Sequence, residues 1–205
     1  MKRSVGLLLL TLTLAGCLGG PRKAPREIVA PLLDAAVAAE WPAADQQLIV
    51  VAPSASSLLD SRRVLSRPAP DRLAYLAGVS WPDNAPRLLQ DAVIDTLQRS
   101  GRLRAVLRPG SGLRGEFVLN LDLVRFEADY SAGRASTGRV EFTATLVQLA
   151  SGRALGSRRF ACAQAADTRD AGAAATAISQ ALRTCVSELA GWSLAALAGS
   201  GGRSD

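Results

Sequence analysis

Histidine is absent from the chain, and its absence excludes several kinds of site. No Ser-His-Asp or Cys-His arrangement can activate a nucleophile, and the commonest zinc ligand is missing. The chain has 3 cysteines, too widely separated in sequence to replace histidine as a ligand cluster. We therefore expect a protein that is not an enzyme and that binds no metal and no cofactor.

Aromatic residues and lysine are also scarce. Aromatic side chains make up 4% of the chain, and lysine occurs at positions 2 and 23 alone. The formal charge is nevertheless +6, because arginine supplies most of the basic groups. These arginines are scattered, whereas nucleic-acid binding needs a basic stripe with stacking aromatics. We expect no nucleic-acid partner and interpret the arginines as solvated; contact with anionic lipid head groups is the alternative.

The N-terminus has the pattern of a bacterial lipoprotein signal peptide. Two basic residues come first, and the apolar run over residues 5–14 is too short to span a bilayer. Residues 14–17 read Leu-Ala-Gly-Cys, so small residues directly precede a cysteine that can be acylated. We predict a signal peptide over residues 1–16 and a diacylglycerol and an N-acyl chain on Cys17. An ordinary secretory signal with an incidental cysteine is the alternative.

The residues after the predicted cleavage site indicate where the protein is sent. Leu18 follows Cys17, and the absence of aspartate at that position predicts the periplasmic face of the outer membrane. Residues 17–25 contain glycine and proline and are interpreted as a flexible lipidated tether. We expect one domain over residues 26–198 and a disordered tail over residues 199–205.

Two cysteines remain if Cys17 carries lipid. Because the periplasm is oxidising, Cys162 and Cys185 are expected to form a disulfide. The bond would close a loop of roughly 20 residues and would stabilise the fold by about 3 kcal/mol. Two buried free thiols are the alternative.

Hydrophobic periodicity predicts two long helices. The first begins after Asp83 or Asn84, because either side chain can accept hydrogen bonds from free N–H groups. Pro86 suits its first turn, and Gly101 ends it. The second helix is expected over residues 171–197, where apolar residues recur at helical spacing.

Alternating and continuous apolar runs predict the strands. Residues 26–40 fit either a helix or a short strand at 27–29 with a linker. A change of apolar parity after Leu146 predicts a β-bulge. The expected fold is α+β, a single domain in which two main helices pack on one face of an antiparallel sheet. The remaining predicted strands cover residues 48–52, 62–67, 72–76, 103–107, 116–127, 140–149 and 154–163.

Three motifs resemble functional sites but have simpler interpretations. Residues 110–115 match the spacing GxGxxG, but a strand follows where dinucleotide binding needs a helix N-terminus. Asp91 and Asp95 lie one helical turn apart, and we expect them to pair with nearby arginines. Glu127 and Asp129 could bind a cation at a strand end, although a polar loop is the favoured interpretation.

A set of segments, taken in order and spacing, resembles a known family. They are residues 48–53, 60–67, 73–81, the helix from Pro86 to Gly101, 119–126 and 158–160. On these segments the stretch from Leu48 to Trp192 resembles the ABC-type transport auxiliary lipoprotein family, which includes the lipoprotein of the paraquat-inducible operon.

The resemblance implies a subunit that docks and tethers. Such a lipoprotein would act with an MCE-domain protein and with the permease and ATPase of an ABC lipid transporter. Two other functions stay open: an assembly lipoprotein for lipopolysaccharide export or secretion, and a periplasmic lipid-binding carrier with an apolar cavity.

The docking surface is predicted less directly. We expect the partner to contact the exposed sheet face and the loops that carry Asp60, Arg62, Arg63 and Trp81. For Trp81, packing in the core at the start of the helix is the favoured interpretation, and an exposed partner contact is the alternative.

Overall fold

The computed structural model describes residues 26–31, 33–133 and 135–200. The predicted signal peptide, the tether and residues 201–205 lie outside the described residues. The strands are β1 (Glu27–Ile28), β2 (Ala44–Val50), β3 (Ser54–Ala55), β4 (Arg63–Ala69), β5 (Arg72–Ser80), β6 (Leu103–Leu107), β7 (Phe117–Asp129), β8 (Thr137–Gln148) and β9 (Ala154–Ala165). The helices are α1 (Ala85–Ser100) and α2 (Ala171–Ser200), so the α+β class is confirmed.

All of these strands form one sheet centred on β7. One edge of β7 pairs antiparallel with β8, which pairs in turn with β9. The other edge of β7 is shared in succession by β2, β3 and β4, all of them parallel to it. Beyond them, β6 extends the sheet from β2, and β5 and β1 extend it from β4.

The sheet is therefore mixed, whereas the sequence pattern led us to expect an antiparallel one. The antiparallel meander is present in β7–β9 and in the β4–β5 hairpin. The parallel pair β2–β6 joins strands separated by β3, β4, β5 and α1, as parallel pairing requires a crossover. The alternation of apolar and polar residues within a strand does not indicate which distant strand pairs with it.

Helix α1 begins and ends where its capping residues predict. The Asn84 side chain accepts a hydrogen bond from the Arg87 backbone N–H (3.2 Å). Pro86 lies in the first turn, and Gly101 has a φ of 60°, in the left-handed region that glycine tolerates. Helix α2 continues through Ser200, so the first two residues of the predicted tail are helical.

The core lies between one face of the sheet and the two helices, which also pack against each other. Alternate residues of β7 and β8 point into it, and Gly138 of β8 lies at the closest approach to α2. A Cβ atom at Gly138 would lie 2.3 Å from the Ala177 carbonyl carbon, so no larger residue fits there. None of the described helices is both long and apolar enough to cross a bilayer.

The predicted disulfide is present between Cys162 of β9 and Cys185 of α2, with their Cα atoms 5.7 Å apart. It ties the last strand of the sheet to the long helix. The predicted bulge is also present, as a register shift between Leu146 and Val147.

The segment before β2 follows the strand alternative. After β1, residues 33–38 form no regular structure and lie against the helices. Their backbone carbonyls have no partner in a helix or a sheet, and they accept hydrogen bonds from helix side chains instead. The bonds run from Arg183 to Asp34 (3.3 Å), Arg99 to Ala35 (2.8 Å) and Ser187 to Ala36 (2.9 Å).

Candidate docking surface

Among the described residues, α1 and α2 both pack on one side of the sheet and no helix covers the other side, which we call the open face. On β7, Arg125 and Glu127 lie directly opposite Glu141 and Arg139 of β8. Residues directly opposite each other on neighbouring strands share a face. The intervening Phe126 is buried in the core, so these charged side chains project from the open face.

The charged side chains of the open face form a cross-strand ion-pair network. Arg67 of β4 donates two hydrogen bonds to Glu127, from Nε to Oε1 (2.7 Å) and from Nη2 to Oε2 (3.3 Å). The Nε atom of Arg125 lies 3.9 Å from Glu127 and 3.7 Å from Glu141. Arg159 of β9 pairs with the other oxygen of Glu141. The network therefore joins four strands through alternating charges.

A second branch of the network is formed around Asp129. Arg139 donates to its Oδ2 atom (2.8 Å), and the Ser131 backbone N–H and hydroxyl donate to Oδ1 (2.9 and 2.6 Å). Burial alone would raise the pKa of Asp129, but the bonds from Ser131 and Arg139 outweigh burial. The pKa of Asp129 therefore lies below its ordinary value.

The carboxylates of the network lie beneath the arginines. The side chains of Glu127, Asp129 and Glu141 are 2%, 8% and 12% exposed, whereas that of Arg159 is 66% exposed. The open face thus presents guanidinium groups to solvent above neutralising carboxylates. Glu127 and Asp129 thus lie in β7 and are neutralised by arginines. The described part of the chain contains no cluster of three or more potential metal ligands.

The predicted partner-binding residues have different environments. Asp60 is exposed and accepts a hydrogen bond from the Asn84 side chain, beside the start of α1. Arg62 is exposed and donates from Nε to the Trp81 carbonyl oxygen (3.3 Å). Asp60 and Asn84 also line a surface cleft of about 290 Å³.

Trp81 is not a surface contact, which corrects one of the predicted partner-binding residues. Its side chain is 0% exposed and packs edge-on against Phe126, with the ring centroids 5.4 Å apart. The structure favours core packing, since Trp81 lies between β5 and α1 with its side chain in the core.

Arg63 lies in a second charged region at the β4–β5 edge of the sheet. Its guanidinium carbon is 3.8 Å from the centroid of the Tyr75 ring. The Tyr75 hydroxyl donates to the Leu58 carbonyl oxygen (3.1 Å). We call Leu58, Arg62, Arg63, Leu73 and Tyr75 the basic corner. Tyr75 pairs with Leu65, which pairs with Glu127, so the corner adjoins the open face.

The remaining motifs have structural roles. Residues 110–115 form a turn before β7, in which Gly110 and Gly112 have φ angles of 81° and 75°. The carboxylates Asp91 and Asp95 of α1 each pair with an arginine four residues away, at 3.4 and 2.7 Å. Both interpretations made from the sequence are confirmed.

A family model described as the ABC-type transport auxiliary lipoprotein component matches residues 31–190. The chain belongs to this family. The match extends from the segment before β2 into α2 and so includes the strands β2 to β9 of the open face.

Three similar proteins illustrate the extent of the similarity. A protein of Xanthomonas campestris with a crystal structure is 32% identical, with a TM-score of 0.82 over 85% of this chain and 98% of that chain. An uncharacterized protein of Bradyrhizobium diazoefficiens is 27% identical over 151 residues, 73% of this chain. This chain spans 40% of the length of that relative. A Chlamydia trachomatis protein with 8% identity and a TM-score of 0.52 shares the fold.

Proposed function

We propose that the chain is a membrane-anchored periplasmic subunit of an MCE-type ABC lipid transport system, where it docks and tethers a partner and catalyses no reaction. The match to the auxiliary lipoprotein family over residues 31–190 carries this proposal. The position of Cys17 after an apolar run and small residues supports the anchor. Its partners would be an MCE-domain protein and the associated permease and ATPase.

The mechanism is tethering. A lipid on Cys17 would hold the domain at the periplasmic face of the outer membrane, and a tether raises the effective concentration of the domain at its partner without a tight contact. The open face offers a broad polar surface for docking. Arg67 donates two hydrogen bonds to Glu127, and Arg125 lies near two carboxylates, so these side chains lose little additional conformational entropy on binding.

The anchor can be tested by the mass and location of the protein. Intact protein extracted from native membranes should begin at Cys17 and carry a diacylglycerol and an acyl chain, and it should sediment with outer membranes. A Cys17→Ala variant should lack the added mass and leave the membrane fraction. An unmodified wild-type chain would contradict anchoring, and sedimentation with inner membranes would contradict the outer-membrane location alone.

Docking on the open face can be tested by site-specific photocrosslinking in cells. A photoreactive residue at Thr143, on the open face, should crosslink to an MCE-domain protein. The matched control is Gln180, which is exposed on α2. Equal crosslinking at both positions, or crosslinking at Gln180 alone, would contradict docking on this face.

Asp60, Arg62 and Arg63 remain a predicted partner-binding set. If they bind the partner, substitution of all three with alanine should abolish its recovery while the domain stays folded. Unchanged recovery would remove them from the docking surface.

The two alternatives receive no comparable support. A lipid carrier would need an apolar cavity between the sheet and the helices. Large buried side chains fill that space, among them Phe142, Phe160, Leu182 and Leu189. The four clefts with volumes of 240–660 Å³ open on the surface. No observation favours an assembly role in lipopolysaccharide export or secretion over the family assignment.

A further inference from the structure

The basic corner differs in charge from the ion-pair network beside it. Among the described residues, Arg62 and Arg63 have no carboxylate within ion-pair distance, whereas Arg67 and Arg139 each have one and Arg125 has two. Arg62 bonds a backbone carbonyl, and Arg63 stacks on a ring. Neither contact neutralises a positive charge, so the corner presents two uncompensated guanidinium groups.

The corner also exposes apolar side chains around these charges. Leu58 and Leu73 are 43% and 42% exposed, and the hydroxyl of Tyr75 holds the Leu58 backbone beside the ring. Arginine, tyrosine and exposed leucine in one place are typical of surfaces at the lipid–water interface. There the guanidinium reaches phosphate while the aromatic and aliphatic groups enter the head-group layer.

The chain enters the fold next to this corner. Ile28 of β1 pairs with Ser80 of β5, and Ser80 pairs with Arg63, so Ile28 and Arg63 are two strand spacings apart, about 10 Å. Ile28 is itself 58% exposed. Arg26 is nine residues after Cys17, a length that spans at most about 30 Å. A lipid on Cys17 would therefore keep this edge of the sheet near the membrane.

We propose that the basic corner rests on anionic phospholipid head groups of the leaflet that holds the anchor. The inference rests on the proposed lipidation of Cys17, and it gives Arg62 and Arg63 a different contact from the protein partner predicted from the sequence. An anchor alone leaves the domain free to rotate. Two arginines near an anionic surface favour one orientation by about thirtyfold.

Amide exchange of the lipidated full-length protein in vesicles tests this orientation. One set of vesicles contains phosphatidylcholine alone, and the other adds phosphatidylglycerol. We expect slower exchange in residues 56–64 and 72–77 in the anionic vesicles only. An Arg62→Glu/Arg63→Glu variant should lose this protection and still float with the vesicles. The matched control is Arg114→Glu/Arg153→Glu, which reverses two exposed charges near the other end of β7 and should keep the protection.

Arg62 also donates a hydrogen bond to the Trp81 carbonyl, so its substitution could disturb the fold. A second variant therefore separates loss of lipid contact from misfolding. Leu73→Asn changes an exposed side chain and should reduce the protection without altering the far-ultraviolet circular dichroism. Equal protection in neutral vesicles, or equal loss in the Arg114 and Arg153 control, would overturn the proposal. So would loss of an MCE-domain protein from the Arg62 and Arg63 variant with unchanged protection, which would assign the corner to a protein partner. Failure of wild-type protein to float would instead remove the anchor, and with it both proposals.

Discussion

At the scale of single residues, packing decides more than the sequence pattern reveals. Gly138 lies in an alternating strand where the pattern suggests nothing special, yet it is the point where β8 meets the α2 backbone. For Trp81 the sequence left two interpretations, core packing and a partner contact, and the side chain is fully buried. Local alternation does not show which element covers a position, so neither environment follows from the strand pattern alone.

Gly138→Ala should destabilise the domain strongly. The new Cβ atom would lie 2.3 Å from the Ala177 carbonyl carbon and the Ile178 nitrogen, which are helix backbone atoms that cannot move alone. We expect a loss of about 3 kcal/mol in the free energy of unfolding, measured by urea titration. Gly133→Ala, where no atom lies within 4 Å of the new Cβ, should cost much less. Equal losses in both variants would contradict the close approach of α2.

Asp129 should contribute stability that depends on pH. Its pKa in the folded protein lies below the ordinary value, so its contribution is complete above the unfolded pKa of about 3.9 and is lost as pH falls through the folded pKa. The difference in unfolding free energy between wild type and Asp129→Asn should be constant near neutral pH and shrink in acid. Asp71→Asn, in the exposed β4–β5 turn, controls for the added amide. A difference that grew on acidification would have the wrong sign.

At the scale of elements, helices were predicted more accurately than strand pairing. The N-cap, the first-turn proline and the C-terminal glycine of α1 are local signals, and they give its ends correctly. The meander β7–β9 was also predictable, because its connections are short. The parallel contacts of β7 with β2, β3 and β4 depend on long-range packing that no local pattern encodes.

The disulfide should stabilise the contact between β9 and α2. Cys162 and Cys185 are 23 residues apart, and a cross-link of this length is worth about 3 kcal/mol in the chain-entropy model. Replacing both cysteines with alanine should lower the free energy of unfolding by about that amount. Reduction of the wild-type protein should have a similar effect, whereas reductant should not change the variant. A stability equally sensitive to reductant in both proteins would show that the effect does not come from this bond.

The open face illustrates what sequence reasoning could and could not find. Arg125, Glu127 and Asp129 at alternate positions indicate a charged strand face, and that signal was visible in the sequence. Arg67 of β4 and Arg139 of β8 pair with Glu127 and Asp129, and Arg159 of β9 pairs with Glu141, so the network could not be found without the topology.

At the scale of the whole molecule, the chain has a folded domain whose residues 31–190 match the auxiliary lipoprotein family. The fold places its helices on one side and a rigid charged surface on the other, with the N-terminal strand at the sheet edge. This arrangement suits a subunit that is held at one point and binds a partner through a separate face.

The most direct test of that account is a crosslinked pull-down of the tagged, lipidated protein from native membranes, analysed by mass spectrometry beside Cys17→Ala. We predict recovery of an MCE-domain protein with an ABC permease and ATPase, and a strong reduction in that recovery for the unanchored variant. Recovery of an outer-membrane barrel alone, or of lipid without any protein partner, would contradict the proposed function.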